Sequence, residues 1–318
     1  MGAPTLSQRQ RQRPRAVVYL YTQTGQLGEV AEALTAPLQA RGWDLRWVDV
    51  APRERFPFPW PIRQFFGVFP QAVDPDAVVE LLPPAESFES ADNELVILAY
   101  QVWYLAPSLP IRSLLKRHPE AVRGRRVISL IACRNMWYSA AAEASALLRA
   151  AGANSVEVIA ATDTRRSSTT LVTTLRWLLT GNRERFLWFG RAGVGDDELA
   201  RVAAVGRDIA EFQPCPPTAA PIVPALAAAD LIAGKIFRVW GATVRSARGY
   251  GTVAYSASLV TFALSLGIAI VLGLPLTAVA ALAGGARFSG HLRRVVQRRI
   301  SFGRPAIDQA AISEGATS

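Results

Sequence analysis

VVYLYTQTGQL, residues 17–27, sets the reading of the whole chain. Val17–Tyr21 is a short apolar run with the length of a buried strand. It stops at Thr22-Gln23-Thr24-Gly25-Gln26, and Glu29–Leu38 follows with apolar residues at helical spacing. A strand, a tight turn bearing hydroxyls and glycine, and a helix make a seat for phosphate, because the turn amides and the helix N-terminus point at one place.

Four further strand-like runs succeed it: Asp44–Val50, Glu94–Tyr100, Arg126–Ala132 and Val156–Thr162. The two central runs are almost wholly apolar, as strands covered on both faces are. Helical patterns fall between them, near 109–116 and 139–151, and again at 196–212, where acidic residues occupy the first turn. This alternation predicts an α/β fold, a five-stranded parallel sheet with helices on both faces. Ligands in such sheets bind beyond the strands' C-terminal ends. Thr22–Leu27, Gln101–Pro110 and Cys133–Tyr138 all begin there.

Between the second and third strands, Ala51–Val73 carries prolines 52, 57, 59, 61 and 70 among six aromatic residues. Proline at that density argues against a regular helix. Two readings stay open: a long loop packed on the domain's own surface, or a wall over a flat, greasy ligand.

The 35 Lys and Arg against 25 Asp and Glu give a net charge of +10, concentrated in the N-terminal arm (residues 1–15) and near the C-terminus. The arm reads as disordered and solvated, with lipid phosphates as the other reading. Two cysteines, Cys133 and Cys215, imply no disulfide framework and favour a reducing compartment. No signal-type segment precedes the first strand, so the domain of residues 16–213 is expected in the cytoplasm.

Residues 214–224 form a proline-rich linker, and 225–304 read as a membrane-associated helical region before a disordered tail at 305–318. From Gly249 to Ala286 no side chain is charged, a run of 38 residues. About 20 helical residues cross a bilayer core, so this run predicts a C-terminal helical membrane segment. Basic residues flank both ends, which favours a hairpin returning at Gly273–Pro275 over a single tilted helix, though the second arm is short. His291–Phe302 has the basic amphipathic pattern of a segment lying on anionic lipid. A nucleic-acid arm ranks lower, since no recognised binding motif accompanies it.

The loop Thr22–Gln26, set between a first strand and a helix, resembles the phosphate loop of the flavodoxin-like family. LAYQVWYLAPSLPI (98–111), IACRNMW (131–137), TLRWLLTG (174–181), RAGVGDDEL (191–199) and FPFPW (56–60) are similar to bacterial flavodoxin-like proteins called dialkylresorcinol condensing enzymes. The likeness covers about residues 16–212. It implies FMN as cofactor, with its phosphate held by Thr22, Gln23, Thr24, Gly25, Gln26 and Leu27. Gln101, Val102, Trp103, Tyr104, Arg134, Asn135 and Trp137 would sit beside the isoalloxazine. A flat ring wants an aromatic wall and a few donors at its oxygen edge. The residues alone also allow Trp103 and Trp137 as core, and Arg134 as the partner of a carboxylate.

Condensation of the ketosynthase kind needs a cysteine nucleophile with histidine-type partners. The chain has two histidines, His118 and His291, and neither falls near Cys133 in the predicted sheet. Cys133 therefore reads as a small buried residue. No metal-ligand set appears, and no residue can be named as catalytic. The function expected is a membrane-anchored, FMN-dependent oxidoreductase at the cytoplasmic face of the bacterial inner membrane. Its substrate would be lipophilic: a quinone or a resorcinol or polyketide-type lipid precursor. A reductase or NAD(P)H would supply electrons, and no nucleic acid would bind. The other class of reading is a non-redox scaffold or accessory subunit of a membrane lipid or polyketide biosynthesis complex.

Overall fold

The structure is a computed structural model. It describes residues 13–213, 218–220 and 222–303, so Cys215, Arg9 and Arg11, most of the proline-rich linker and the last residues lie outside the described part. Five long parallel strands carry the sheet: β1 (Arg15–Leu20), β2 (Asp44–Asp49), β3 (Glu94–Trp103), β5 (Arg126–Cys133) and β6 (Ser155–Thr162). Two pairs extend it beyond the expected five: β4 (Ala106–Pro107), antiparallel to β3, and β7 (Thr218–Ala219), parallel to β6. Two-residue strands are too short to leave a hydrophobic period. The first strand begins at Arg15, whose guanidinium faces Asp44 and Glu94 at 3.5 Å.

The order is β2-β1-β3-β5-β6-β7. Counting only the long strands, it is the 2-1-3-4-5 order of flavodoxin-like sheets, with the switch point beside β1 and β3. The register sets Val18 between Trp47 and Ile97, and Leu98 beside Ser129. Residues 94–100 of β3 are all buried, which explains the unbroken apolar run from Leu95 to Tyr100.

Helices α1 (Gln26–Ala40) and α6 (Asp196–Ala210) cover one face; Val30, Leu34 and Leu38 meet Val202, Val205 and Ile209 there. Helices α3 (Leu109–Arg117) and α4 (Tyr138–Ala150) cover the other. The aromatic stretch contains a helix, α2 (Ile62–Ala72), against the expectation that its prolines exclude one. Four of the five prolines precede it; Pro61 caps it, and Pro70 lies in its last turn, where it removes a single bond of the ladder, the one to the Phe66 carbonyl. Helix α5 (Ser167–Thr180) precedes an aromatic loop and α6.

The C-terminal part is a second layer over α4. Helix α7 (Pro224–Ala247) is pinned by polar contacts: Asp230 to α4, Arg238 to Glu143, and Arg245 to Asp74 and the Pro70 carbonyl. Arg112, wholly buried, pairs with the same Glu143 and donates to the Ala72 carbonyl at 2.7 Å. Then α8 (Thr252–Ile268), a π-helical turn (Ala269–Gly273) and α9 (Leu274–Ile300) run on. The break in helical backbone falls at Gly285, φ +60°, rather than at Gly273–Pro275 where the sequence divides the run. Beyond it Val296 and Ile300 join the core, and Phe302 pairs with Val156 of β6. The apolar face expected on lipid at 291–302 is thus packed against the domain. Among the described residues, one helical stretch, Thr252–Thr277, is long and apolar enough to cross a membrane, with mean hydropathy 2.4 and 6% of it buried.

Candidate functional site

The ends of β1, β3 and β5 open into a cavity of about 440 Å³. That lies within the usual size of small-molecule sites, roughly 300–1,000 Å³. On its sheet side stand Gln23, Thr24 and Gln26 of the first loop, Gln101–Leu105, and Ala132–Arg134 with Met136.

Gly25 takes φ +80°, a conformation that a side chain would strain, and starts α1. Its amide donates to Thr22 Oγ1 at 3.1 Å, which curls the turn so that the first amides of α1 lie without intrahelical acceptors beside it. The Gln23 amide donates to Gln101 Oε1 at 3.3 Å and its side chain to the Pro57 carbonyl at 3.2 Å, tying the loop to the next strand and to the aromatic stretch. Gln26 is buried; with its carboxamide oxygen turned toward the 191–195 loop, it accepts from the Val194 amide at 2.5 Å and from Arg183 at 3.1 Å. Leu27 turns its side chain into the core, so what it offers the loop is its backbone amide.

Trp103 is nearly buried, with ring contacts to Tyr21, Phe56 and Trp60 at 5.8, 4.8 and 5.7 Å. It is both core and cavity wall. Tyr104 and Leu105 hold φ +49° and +63° as the two central residues of the β3–β4 hairpin. That type of turn selects Asn-Gly; two bulky residues there store strain of about 1–3 kcal/mol each. The Tyr104 hydroxyl donates to the Phe65 carbonyl at 2.7 Å, and burial pushes its pKa up. Tyr104 therefore serves the site as a fixed neutral surface.

Arg134 lines the cavity, and burial lowers the pKa of its guanidinium, which stays charged at neutral pH. Asn135 and Trp137 do not line it; Trp137 is buried and stacked on Tyr138 at 4.4 Å. Cys133 lines the cavity with its thiol pushed far above the usual range, chiefly by burial. His118 caps α3 beside Glu120 and against the Phe88 ring, at the end of the domain where parallel strands begin. Among the described residues no His, Cys, Asp and Glu cluster could hold a metal.

The opposite wall was not visible in local pattern. It comes from Leu171, Thr174 and Leu178 of α5, from Ala229, Ala233 and Phe237 of α7, and from Leu266, Ile270, Gly273 and Thr277 of the apolar run. Trp60 and Phe65 contribute too, so the aromatic stretch forms part of a wall. Arg183 was also missed: it holds Glu29 of α1 at 2.6 Å and lies 5.0 Å over Trp177, putting a cation beside the phosphate loop. A second hollow of about 330 Å³ on the far side of that loop is lined by Thr22, Asp49, Arg55 and Phe56, among others.

No family model matches the chain, and no curated protein matches it. Among solved structures, a flavodoxin from the domain Archaea is similar with a TM-score of 0.34 and 15% identity, over 62% of this chain and 96% of that one. The azoreductase AzrA gives 0.34 and 12%, over 61% and 99%. Scores at that level carry no weight of their own; the flavodoxin-like fold rests on the strand order and connectivity.

Proposed function

We propose that the chain is an FMN-dependent oxidoreductase, membrane-anchored at the cytoplasmic face of the bacterial inner membrane, acting on a lipophilic substrate. The observation that carries this reading is the opening of the Thr22–Gln26 loop into a cavity walled by Trp103, Trp60 and Arg134. The donor set fits the cofactor: loop and helix amides with the Thr24 hydroxyl for a phosphate, a flat apolar wall for the ring, and one guanidinium for its oxygen edge. When bound, the flavin supplies hydride or electron transfer. The protein's share is to hold the phosphate, present Gln101 and Arg134 to the ring, and keep water out with aromatic side chains.

The walls of α5, α7 and the apolar run, mostly apolar beside Thr174 and Thr277, support a lipophilic substrate. A quinone or a resorcinol or polyketide-type lipid precursor suits them, in keeping with the resemblance to dialkylresorcinol condensing enzymes. Condensation itself is not the chemistry proposed: burial pushes the pKa of the partly buried Cys133 thiol up, and His118 packs on Phe88. Electrons would come from NAD(P)H or a partner reductase. The test is anaerobic: full-length protein in detergent is reduced with dithionite, then mixed with a long-chain quinone. Reoxidation of bound flavin within the mixing series supports the reading. A flavin that stays reduced with quinones and cyclic enones alike, or membranes stripped of the protein by carbonate washing, would sink it.

A further inference from the structure

The cavity's contact with the outside is as informative as its floor. Four of its lining residues have exposed side chains, Leu175, Ile232, Ile236 and Ala269, and all four are apolar. Ile232 and Ile236 lie one turn apart on α7, continued by Val239, which is 68% exposed. The facing helix shows a matching stripe at three- and four-residue steps, Leu264, Ile268, Val271 and Leu272. The mouth is therefore framed by greasy surface on both helices. Exposed apolar side chains gathered in this way mark a surface that meets a membrane or a partner.

The same apolar helix looks inward. Phe262 is wholly buried, stacked on Phe69 at 3.6 Å, and this anchors the run against α2. From that anchor Leu266, Ile270, Gly273 and Thr277 follow down one face and line the cavity, while the stripe above faces out. The π turn Ala269–Gly273 sits in this segment, the kind of irregularity that re-aims a helix face at functional sites. Polar groups gather at the other end, at Gln23, Thr24, Gln101 and Arg134. The cavity thus has a polar floor and an apolar throat.

We propose that residues 252–277 are a wall of the binding site as well as a tether, and that the throat takes the alkyl chain of a single-chain amphiphile arriving from the bilayer. Its flat polar head rests on the floor by Gln101 and Arg134, and its chain runs between α7 and the apolar helix, out over Leu175, Ile232, Ile236 and Ala269. This rests on the flavin reading for what the head meets, but the throat stands on its own lining. The bilayer is favoured as the neighbour of the mouth because the outward stripe is continuous with a charge-free run of 38 residues bounded by arginines.

The test uses full-length protein in vesicles of phosphatidylglycerol and phosphatidylethanolamine, with a series of alkyl-benzoquinones of increasing chain length. Affinity is read by tryptophan quenching and corrected for partition into protein-free vesicles. Wild type is expected to gain roughly three- to fourfold per methylene until the throat is filled. Ala233→Phe and Gly273→Phe fill the throat from its two sides; an added Cβ at Gly273 meets nothing within 4 Å, so that variant has room to fold. Both should flatten the chain-length series while leaving the shortest quinone and the flavin content unchanged. Ile236→Asn, at the exposed rim over which the chain leaves, should slow delivery from vesicles and weaken binding of the longest quinones alone. A chain-length series unchanged in both filling variants would overturn the proposal, as would an Ile236→Cys protein that crosslinks to a second copy across the mouth. A colourless protein that still shows the chain-length series would overturn the flavin reading and leave the throat standing.

Discussion

The Asp230 carboxylate on α7 accepts a hydrogen bond from the Ser139 amide at the N-terminus of α4, at 2.7 Å, with the Tyr138 amide on its other oxygen at 3.2 Å. A side chain 91 residues away in sequence thus caps the helix that follows β5, and it does so from the layer that carries the apolar run.

Removing that cap should loosen the second layer first. Asp230→Ala leaves two buried amides without an acceptor and is expected to cost about 1–3 kcal/mol in urea unfolding. Burial lifts the Asp230 carboxyl to about 6, against the downward pull of Ser139 and Tyr138. A raised folded-state value means that the native state holds the proton more tightly than the unfolded chain. Its contribution is full below about pH 4 and is lost as pH rises through about 6. Asp230→Asn cannot titrate, so the wild-type stability advantage should shrink between those limits; an advantage that grows with pH would contradict this.

Gly25 is the residue on which the phosphate loop turns. Gly25→Val forces a β-branched side chain into φ +80° and displaces the amides around it. FMN affinity should fall at least about tenfold, the equivalent of one charge-assisted hydrogen bond, with the far-ultraviolet circular dichroism unchanged. Isothermal titration of the flavin-stripped protein measures it.

Tyr104 and Leu105 carry strain into the cavity wall. Leu105→Gly relieves half of it and is expected to raise stability by about 1 kcal/mol, a melting-temperature gain of a few degrees. Substrate turnover should drop in the same variant if the strained hairpin fixes the wall, and steady-state kinetics beside a thermal melt separates the two effects.

Phe262 ties the apolar run to the domain through Phe69. Phe262→Ala removes a fully buried ring and should cost about 3–5 kcal/mol of local stability. The expected sign is faster proteolysis in the 248–251 connection, with little change in the unfolding of the sheet.

The sheet was legible because burial on two faces leaves an unmistakable trace: residues 95–100 are apolar without interruption, 127–132 are broken only by Ser129, and α1 and α6 show one apolar stripe each. The phosphate loop was legible because its chemistry is local, all of it between Thr22 and Leu27. What escaped is what convergence makes. Nothing near Arg183 announces Glu29, nothing near Asp230 announces Ser139, and the throat joins α5, α7 and residues 266–277 across some hundred positions. Helix α2 escaped for another reason. The prolines that crowd residues 52–61 end where the helix begins, and a count over the whole stretch hid that boundary. Trp137, set by resemblance at the ring, lies in the core beside Tyr138.

The central claim is that this fold holds FMN at Thr22–Gln26. The direct measurement is the visible spectrum of full-length protein extracted from membranes in detergent, followed by mass identification of whatever heat denaturation releases. The account predicts a yellow protein, close to one flavin per chain, and FMN as the released species. A colourless protein that takes up no added FMN would contradict it.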